Sequence, residues 1–208
     1  MSARQLIGAS ILVLGTAGLA AQAGDAPTLK DPSTLTADAP AKYSVKFETN
    51  KGDFVVEVDR TWAPRGAIRF YNLVKNGFYN EARIHRVNPG IAQFGINANP
   101  AINRVWRGAR IADDVPRQTN ERGYLSYAAG GPNTRTTQVF INRTDNKALD
   151  RSGFAPFGKI TSGMNVIERL YADYGERPDQ NKIYTEGNVY LEKQFPKLDY
   201  IKTATIVE

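Results

Sequence analysis

The chain has 208 residues, with 27 Lys and Arg against 21 Asp and Glu, a formal charge of +6, one histidine and no cysteine. That length suits one domain with a well-buried core, and the absence of cysteine excludes disulfides, thiol catalysis and Cys-ligated zinc. A single histidine also argues against a transition-metal site.

The first 23 residues read as an export signal. MSAR supplies a positive start, LIGASILVLGTAGLA an apolar run too short to span a bilayer, and Ala21-Gln22-Ala23 a small-x-small cleavage site. A mature chain would begin at Gly24. Residues 24–42 are rich in Pro, Ala, Asp and Thr without hydrophobic periodicity and are expected as a flexible leader. The domain proper is expected over 43–208.

It opens as a β-hairpin: Tyr43, Val45 and Phe47 alternate with polar residues, Asn50-Lys51-Gly52 turns the chain, and Phe54, Val56 and Val58 resume the alternation. From Ala63 to Asn76 the period becomes helical, with Pro64 in the first turn, an apolar stripe of Ala67, Phe70, Tyr71 and Val74, and Gly77 as a stop. MNVIERLY (164–171) makes a second, shorter amphipathic helix. Six further segments are short and β-like: 83–87, 91–96, 124–129, 138–142, 155–161 and 201–207. Eight short strands and two helices predict a mostly β fold, a closed eight-stranded antiparallel β-barrel capped by the two helices, because closure removes unpaired edges.

The arginines between 104 and 151 (Arg104, Arg107, Arg110, Arg117, Arg122, Arg135, Arg143 and Arg151) admit nucleic acid, an anionic envelope surface or acidic clients as partners. Export makes nucleic acid the weakest of these. Asp113-Asp114 could hold a hard cation but reads better as a solvated loop. There is no G-x-S-x-G, P-loop, G-x-G-x-x-G or H-E-x-x-H signature. The dense stretch is YAAGGPNTRTTQVFINRTDNKALDRSGFAPFG (127–158), where AAGGPNT must turn sharply and could bring backbone close to a ligand. Taken singly, Phe140, Leu149, Phe154 and Phe157 would pass for ordinary core.

Taken in order, GDFVVEVDRTWAPRGAIRFYNLVKNGFYNEARIHRVNPG, IAQFG, GYLSYAAGGPNTRTTQVFINRTDNKALD and FAPFGKITSGMNVIERL resemble the cyclophilin-type peptidyl-prolyl cis-trans isomerases over roughly residues 43–171, with YIKTATIVE as the last strand. The resemblance implies that Arg86 is the catalytic arginine and Gln93 its polar neighbour. It implies that Phe140 and Leu149 wall a proline pocket, with Ile91 and Ala92 at two further positions, that Gln138 contacts substrate, and that backbone groups of Ala128 and Ala129 pair with a bound peptide. Phe154 stands where the family has a pocket histidine, Ala129 replaces a common asparagine and Ala148 a common aromatic. The chain is one residue shorter than usual between Arg86 and Gln93, and 186–199 is additional to the minimal family core.

An X-Pro bond isomerises over a barrier of roughly 18–20 kcal/mol, taking tens to hundreds of seconds uncatalysed. Twisting the amide gives the prolyl nitrogen a lone pair, and a fixed guanidinium beside it would favour the transition state over both ground states. No proton is transferred, so an arginine serves better than a base. His85 then faces away from Arg86 and is expected as a buried, hydrogen-bonded structural residue.

No cofactor and no metal are expected. The expected partners are proline-containing polypeptides and unfolded client proteins of the periplasm, with a weak anionic-surface contact kept open by the arginines; a monomer is expected. The alternative function is a peptide-binding chaperone with the same fold and little turnover.

Overall fold

A computed structural model of the protein describes residues 27–207. The expected export signal therefore lies outside the described residues. Tyr43, Val45, Phe47 and Thr49 are buried while their neighbours are not, as period-two alternation demands, and β1 (Lys42–Thr49) pairs antiparallel with β2 (Gly52–Asp59). Phe47 sits opposite Phe54, with the rings stacked 4.7 Å apart. The remaining strands fall within or beside the expected segments, several of them shorter: β3 (Arg86–Val87), β4 (Ile91–Phe94), β5 (Tyr124–Tyr127), β6 (Val139–Asn142), β7 (Pro156–Ser162) and β8 (Ile201–Val207).

These eight strands form one antiparallel sheet in the order β3-β4-β6-β5-β7-β2-β1-β8. The expected closed barrel is corrected: the sheet curls but its ladder stays open between β3 and β8. The physical reason is that β3 is only two residues long, so the chain before it meets the last strand through a single bridge, Arg83 to Tyr200. There Ile84 N–H donates to the Asp199 carbonyl and Ile201 N–H to that of Ala82.

Helix α1 (Pro64–Lys75) covers the interior with Ala67, Phe70, Leu73 and Val74, all buried. Phe70 lies 4.9 Å from Phe157, 5.5 Å from Tyr79 and 6.2 Å from Phe47, so the sheet wraps an aromatic core. Burial of such rings is the main favourable term, at roughly 25 cal/mol per Å² of apolar surface. The residue before the helix, Ala63, offers no capping side chain. Asp114 serves instead: it accepts the N–H groups of Arg65 (3.1 Å) and Gly66 (2.9 Å) and pairs with buried Arg135. Asp114 is thus a buried tie between α1 and the AAGGPNT loop, where a solvated loop residue was expected.

The two-helix expectation falls short. Among the described residues there are also α2 (Pro100–Trp106), α3 (Ala148–Arg151), α5 (Gln180–Glu186) and α6 (Asn188–Gln194), besides α4 (Met164–Glu168), the second helix expected. Helices α5 and α6 build a satellite core of Ile96, Ile183, Tyr190, Leu191 and Leu198, flanked by Tyr174, Tyr184 and Phe195. Gly187 joins them at φ +63° so close to the Ala98 carbonyl that a Cβ would stand 2.1 Å from it. The described part of the expected leader lies against the domain: Leu29 is buried and its carbonyl accepts the Trp106 indole N–H at 2.8 Å. Among the described residues no helix is long and apolar enough to cross a membrane.

Candidate active site

The strand register builds the site. Arg86 pairs with Gln93, Gln93 with Phe140, and Phe140 with Ser126, so these four form one row across β3, β4, β6 and β5. The rows on either side, Val87-Ala92-Ile141-Leu125 and Phe94-Val139-Tyr127, are buried in the core. Alternation therefore turns the Arg86 row outward, together with Ile91 and Gln138 two residues away on their strands. The shortened stretch after Arg86 explains this strictness. Pro89-Gly90 makes a two-residue connection, closed by Asn88 N–H donating to the Ile91 carbonyl at 3.0 Å, while the Asn88 side chain accepts the N–H of Ile91 at 2.9 Å. With no bulge, Ile91 reaches the outer face and Ala92 cannot.

The outward row opens into a groove of about 630 Å³ lined by Arg86, Ile91, Gln93, Ala128, Ala129, Gln138, Phe140, Leu149 and Phe154, among others. Nine of the ten expected site residues thus converge on one cavity. Ala92 is the correction: its side chain is fully buried in the core between Val87 and Ile141.

A one-way chain of hydrogen bonds runs along the floor. Arg86 Nη1 donates to Gln93 Oε1 (3.1 Å), Gln93 Nε2 to Gln138 Oε1 (2.7 Å), and Gln138 Nε2 to Tyr184 Oη (2.9 Å) and Gln180 Oε1 (3.1 Å). This order fixes both amides, since each accepts at its oxygen and donates at its nitrogen. On its other edge the guanidinium meets Glu176.

The apolar end is walled by Phe140 and Phe154, whose rings pack edge to face 5.7 Å apart, and by Leu149. Buried Asn120 holds this wall, donating from Nδ2 to the Asp150 carboxylate (2.7 Å) and to the Phe154 carbonyl (2.8 Å), and accepting from Ser126 Oγ beneath the floor (2.8 Å). An apolar slot beside a fixed guanidinium is suited to a ring with a neighbouring polar nitrogen. The family model described as cyclophilin type peptidyl-prolyl cis-trans isomerase/CLD matches residues 44–189.

The chain belongs to the cyclophilin family. It is 34% identical over 142 residues to a peptidyl-prolyl cis-trans isomerase of Acinetobacter baylyi, covering 65% of this chain and 76% of that protein. It is 30% identical over 135 residues to peptidyl-prolyl cis-trans isomerase B of Escherichia coli, covering 61% and 82%. Among solved structures, a Cryptosporidium parvum cyclophilin-type isomerase superposes with a TM-score of 0.60 at 23% identity, over 80% of this chain and 98% of that one. The same protein in the presence of the dipeptide Ala-Pro gives 0.61 over 79% and 99%. The chain is accordingly a peptidyl-prolyl cis-trans isomerase.

In this cyclophilin the only histidine stays out of the groove. His85 is 1% exposed, and burial, with the neighbouring Arg86 charge adding to it, holds its pKa down to about 4. The expected inward position is found, but the expected hydrogen bond is not: neither ring nitrogen has a hydrogen-bond partner among the described residues. The Arg83 backbone and the Gln138 side chain favour the charged ring without meeting it in hydrogen-bond geometry.

The sequence did not reveal the far wall. Gln180, Tyr184, Arg107 and Arg110 also line the groove, and the Arg107 guanidinium lies 4.7 Å over the Tyr184 ring. Asp179 followed by Gly187 marks the start and stop of α5 and could have located the helix. Nothing local says that it faces Arg86. The arginine-rich region is largely occupied with structure: Arg135 pairs with Asp113 and Asp114, Arg122 with Glu168, and Arg143 donates to the Asn88 carbonyl.

Proposed function

We propose that this isomerase binds a prolyl ring in the slot of Phe140, Phe154, Leu149 and Ile91 and twists the preceding amide beneath Arg86. The observation that carries this is the register row that sets Arg86, Gln93 and Phe140 side by side on one face of the sheet. Adjacent strands lie about 4.8 Å apart, so a proline seated against Phe140 has its nitrogen within reach of the guanidinium two strands away. As the amide loses planarity the nitrogen gains a lone pair, and an Arg86 N–H donates to it.

A charge-assisted hydrogen bond of this kind contributes roughly 1.5–3 kcal/mol, or about one to two powers of ten in rate. Gln93, itself held by Gln138, holds the guanidinium, and Ala128 and Ala129 line the groove where an extended peptide would lie. The test is isomerisation of a proline tetrapeptide followed without protease. Arg86→Ala is expected to lose at least tenfold in kcat/KM, and a variant as fast as wild type would remove Arg86 from the mechanism.

The clients are exported polypeptides folding in the periplasm. The support is the charged start, apolar run and small-x-small site of residues 1–23. Cell fractionation with N-terminal sequencing tests it: the protein is expected in the periplasm starting at Gly24. A full-length cytoplasmic form would refute export.

A further inference from the structure

Resting on the assignment of Arg86 as the catalytic group, we infer that Glu176 is a positioning residue that holds the guanidinium in its working plane. Glu176 Oε1 accepts from Arg86 Nε at 2.9 Å and from Nη2 at 2.6 Å, while Gln93 takes Nη1. A guanidinium carries five N–H groups in a rigid fork. The carboxylate and the Gln93 amide therefore fix three of them on opposite edges and leave one on each terminal nitrogen. Those two remain for a substrate in the groove that Arg86 lines.

Glu176 is itself held in place. Asn88 Nδ2 donates to the same Oε1 at 2.9 Å, and the backbone anchors the turn, since Val87 N–H donates to the Gly175 carbonyl at 3.4 Å. Strand β3 is the edge of the sheet, so its outer side is open to this docking. Tyr174, just before the turn, packs into the satellite core beside Phe195, their ring centroids 5.1 Å apart. The segment from 174 to 198 thus has its own apolar reason to sit where it does, and Glu176 rides on it to a residue 90 positions earlier in the chain.

The carboxylate has two opposed effects on the chemistry. It restricts a long side chain that is 33% exposed and would otherwise sample many rotamers, and it partly neutralises the charge that stabilises the twisted amide. Orientation dominates here, because Glu176 is 58% exposed and its field is screened by water whereas its hydrogen bonds are geometric. Arg86 and Asn88 hold the Glu176 carboxyl below its usual range, so the clamp is charged throughout neutral pH.

The experiment compares Glu176→Gln, Glu176→Asp, Arg86→Lys, Arg86→Ala and Glu176→Gln/Arg86→Lys in the protease-free tetrapeptide assay, with NMR of the Arg86 Nε–H. Glu176→Gln is expected to lower kcat about fivefold with KM moved less than twofold, as befits a hydrogen bond that has lost its charge assistance. It should also increase the solvent exchange of the Arg86 Nε–H. Glu176→Asp should restore part of the rate, and Glu176→Gln should cost nothing further once Arg86 is Lys. Wild-type kcat in Glu176→Gln, or a rise, alongside an inactive Arg86→Ala would overturn the inference and leave the catalytic assignment intact. Wild-type activity in Arg86→Ala would remove both.

Discussion

Substituting the adjacent residues Ile91 and Ala92 separately tests the register on which the site depends. Ala92 is fully buried against Val87 and Ile141, so Ala92→Leu forces three extra carbon atoms into a packed interior. Overpacking costs about 1–3 kcal/mol, and for a domain of this size each kcal/mol moves Tm by about 2–4 °C. The expected loss is therefore about 2–12 °C, with kcat/KM of the surviving folded protein within about twofold of wild type. Ile91 lines the groove and is only partly buried before substrate arrives. Ile91→Ala removes apolar surface that the prolyl ring would cover, worth about 1 kcal/mol, or about fivefold in kcat/KM, with Tm lowered by only a few degrees. Thermal unfolding and the tetrapeptide assay, run on both variants, separate the two. A pair in which Ala92→Leu spares Tm but raises KM, while Ile91→Ala unfolds the protein, would show the register to be shifted by one residue and refute the outward row of Arg86, Gln93 and Phe140.

Three other outcomes follow from the same geometry. Asn120→Ala strips the support from the Asp150 carboxylate and the Phe154 carbonyl and is expected to cost about 1–3 kcal/mol in urea unfolding while raising KM, because Leu149 and Phe154 lose their anchor. His85 has a folded pKa of about 4 against an ordinary value of 6.5, so between those values the unfolded chain binds a proton that the native one does not. Stability attributable to it is complete above pH 6.5 and declines by roughly 3 kcal/mol towards pH 4, a slope that His85→Gln should lack in urea titrations at each pH. Arg107 and Arg110 line the groove and have no carboxylate partner among the described residues, so tetrapeptides with Glu beside the X-Pro bond should exceed Lys counterparts in kcat/KM by about two- to fivefold at low salt. Raising the salt should erase the difference, and its persistence at high salt would point to shape in place of charge.

All eight strands and helices α1 and α4 were legible because each carries its own period and its own stops, as in the alternation of Tyr43, Val45 and Phe47. The row of Arg86, Gln93 and Phe140 was legible for a different reason, since His85-Arg86, Gln93 and the AAGGPNT series are specific in their order. Ala92 was misplaced because a deletion of one residue can be absorbed either by a bulge or by a tighter turn, and only the Asn88–Ile91 hydrogen bond shows which occurred. Closure of the barrel was inferred from the number of strands, whereas it depends on the length of one of them, β3. Helices α5 and α6 escaped because Gly187 divides their apolar residues, leaving Ile183 and Tyr184 on one side and Val189, Tyr190 and Leu191 on the other. Glu176 had no local signal at all: a carboxylate in a polar turn becomes meaningful only when tertiary packing sets it against Arg86.

The far-wall residues Gln180 and Tyr184 have a temporal consequence. On a ribosome the chain would expose Arg86, Gln93 and Phe140 long before Gln180 and Tyr184 emerge, and β1 waits for its outer partner until β8, the last of the described strands. A nascent or C-terminally clipped chain therefore presents half a groove on a sheet with an unpaired edge. A cut before residue 176 would remove Glu176, Gln180 and Tyr184 from around the groove without touching Arg86.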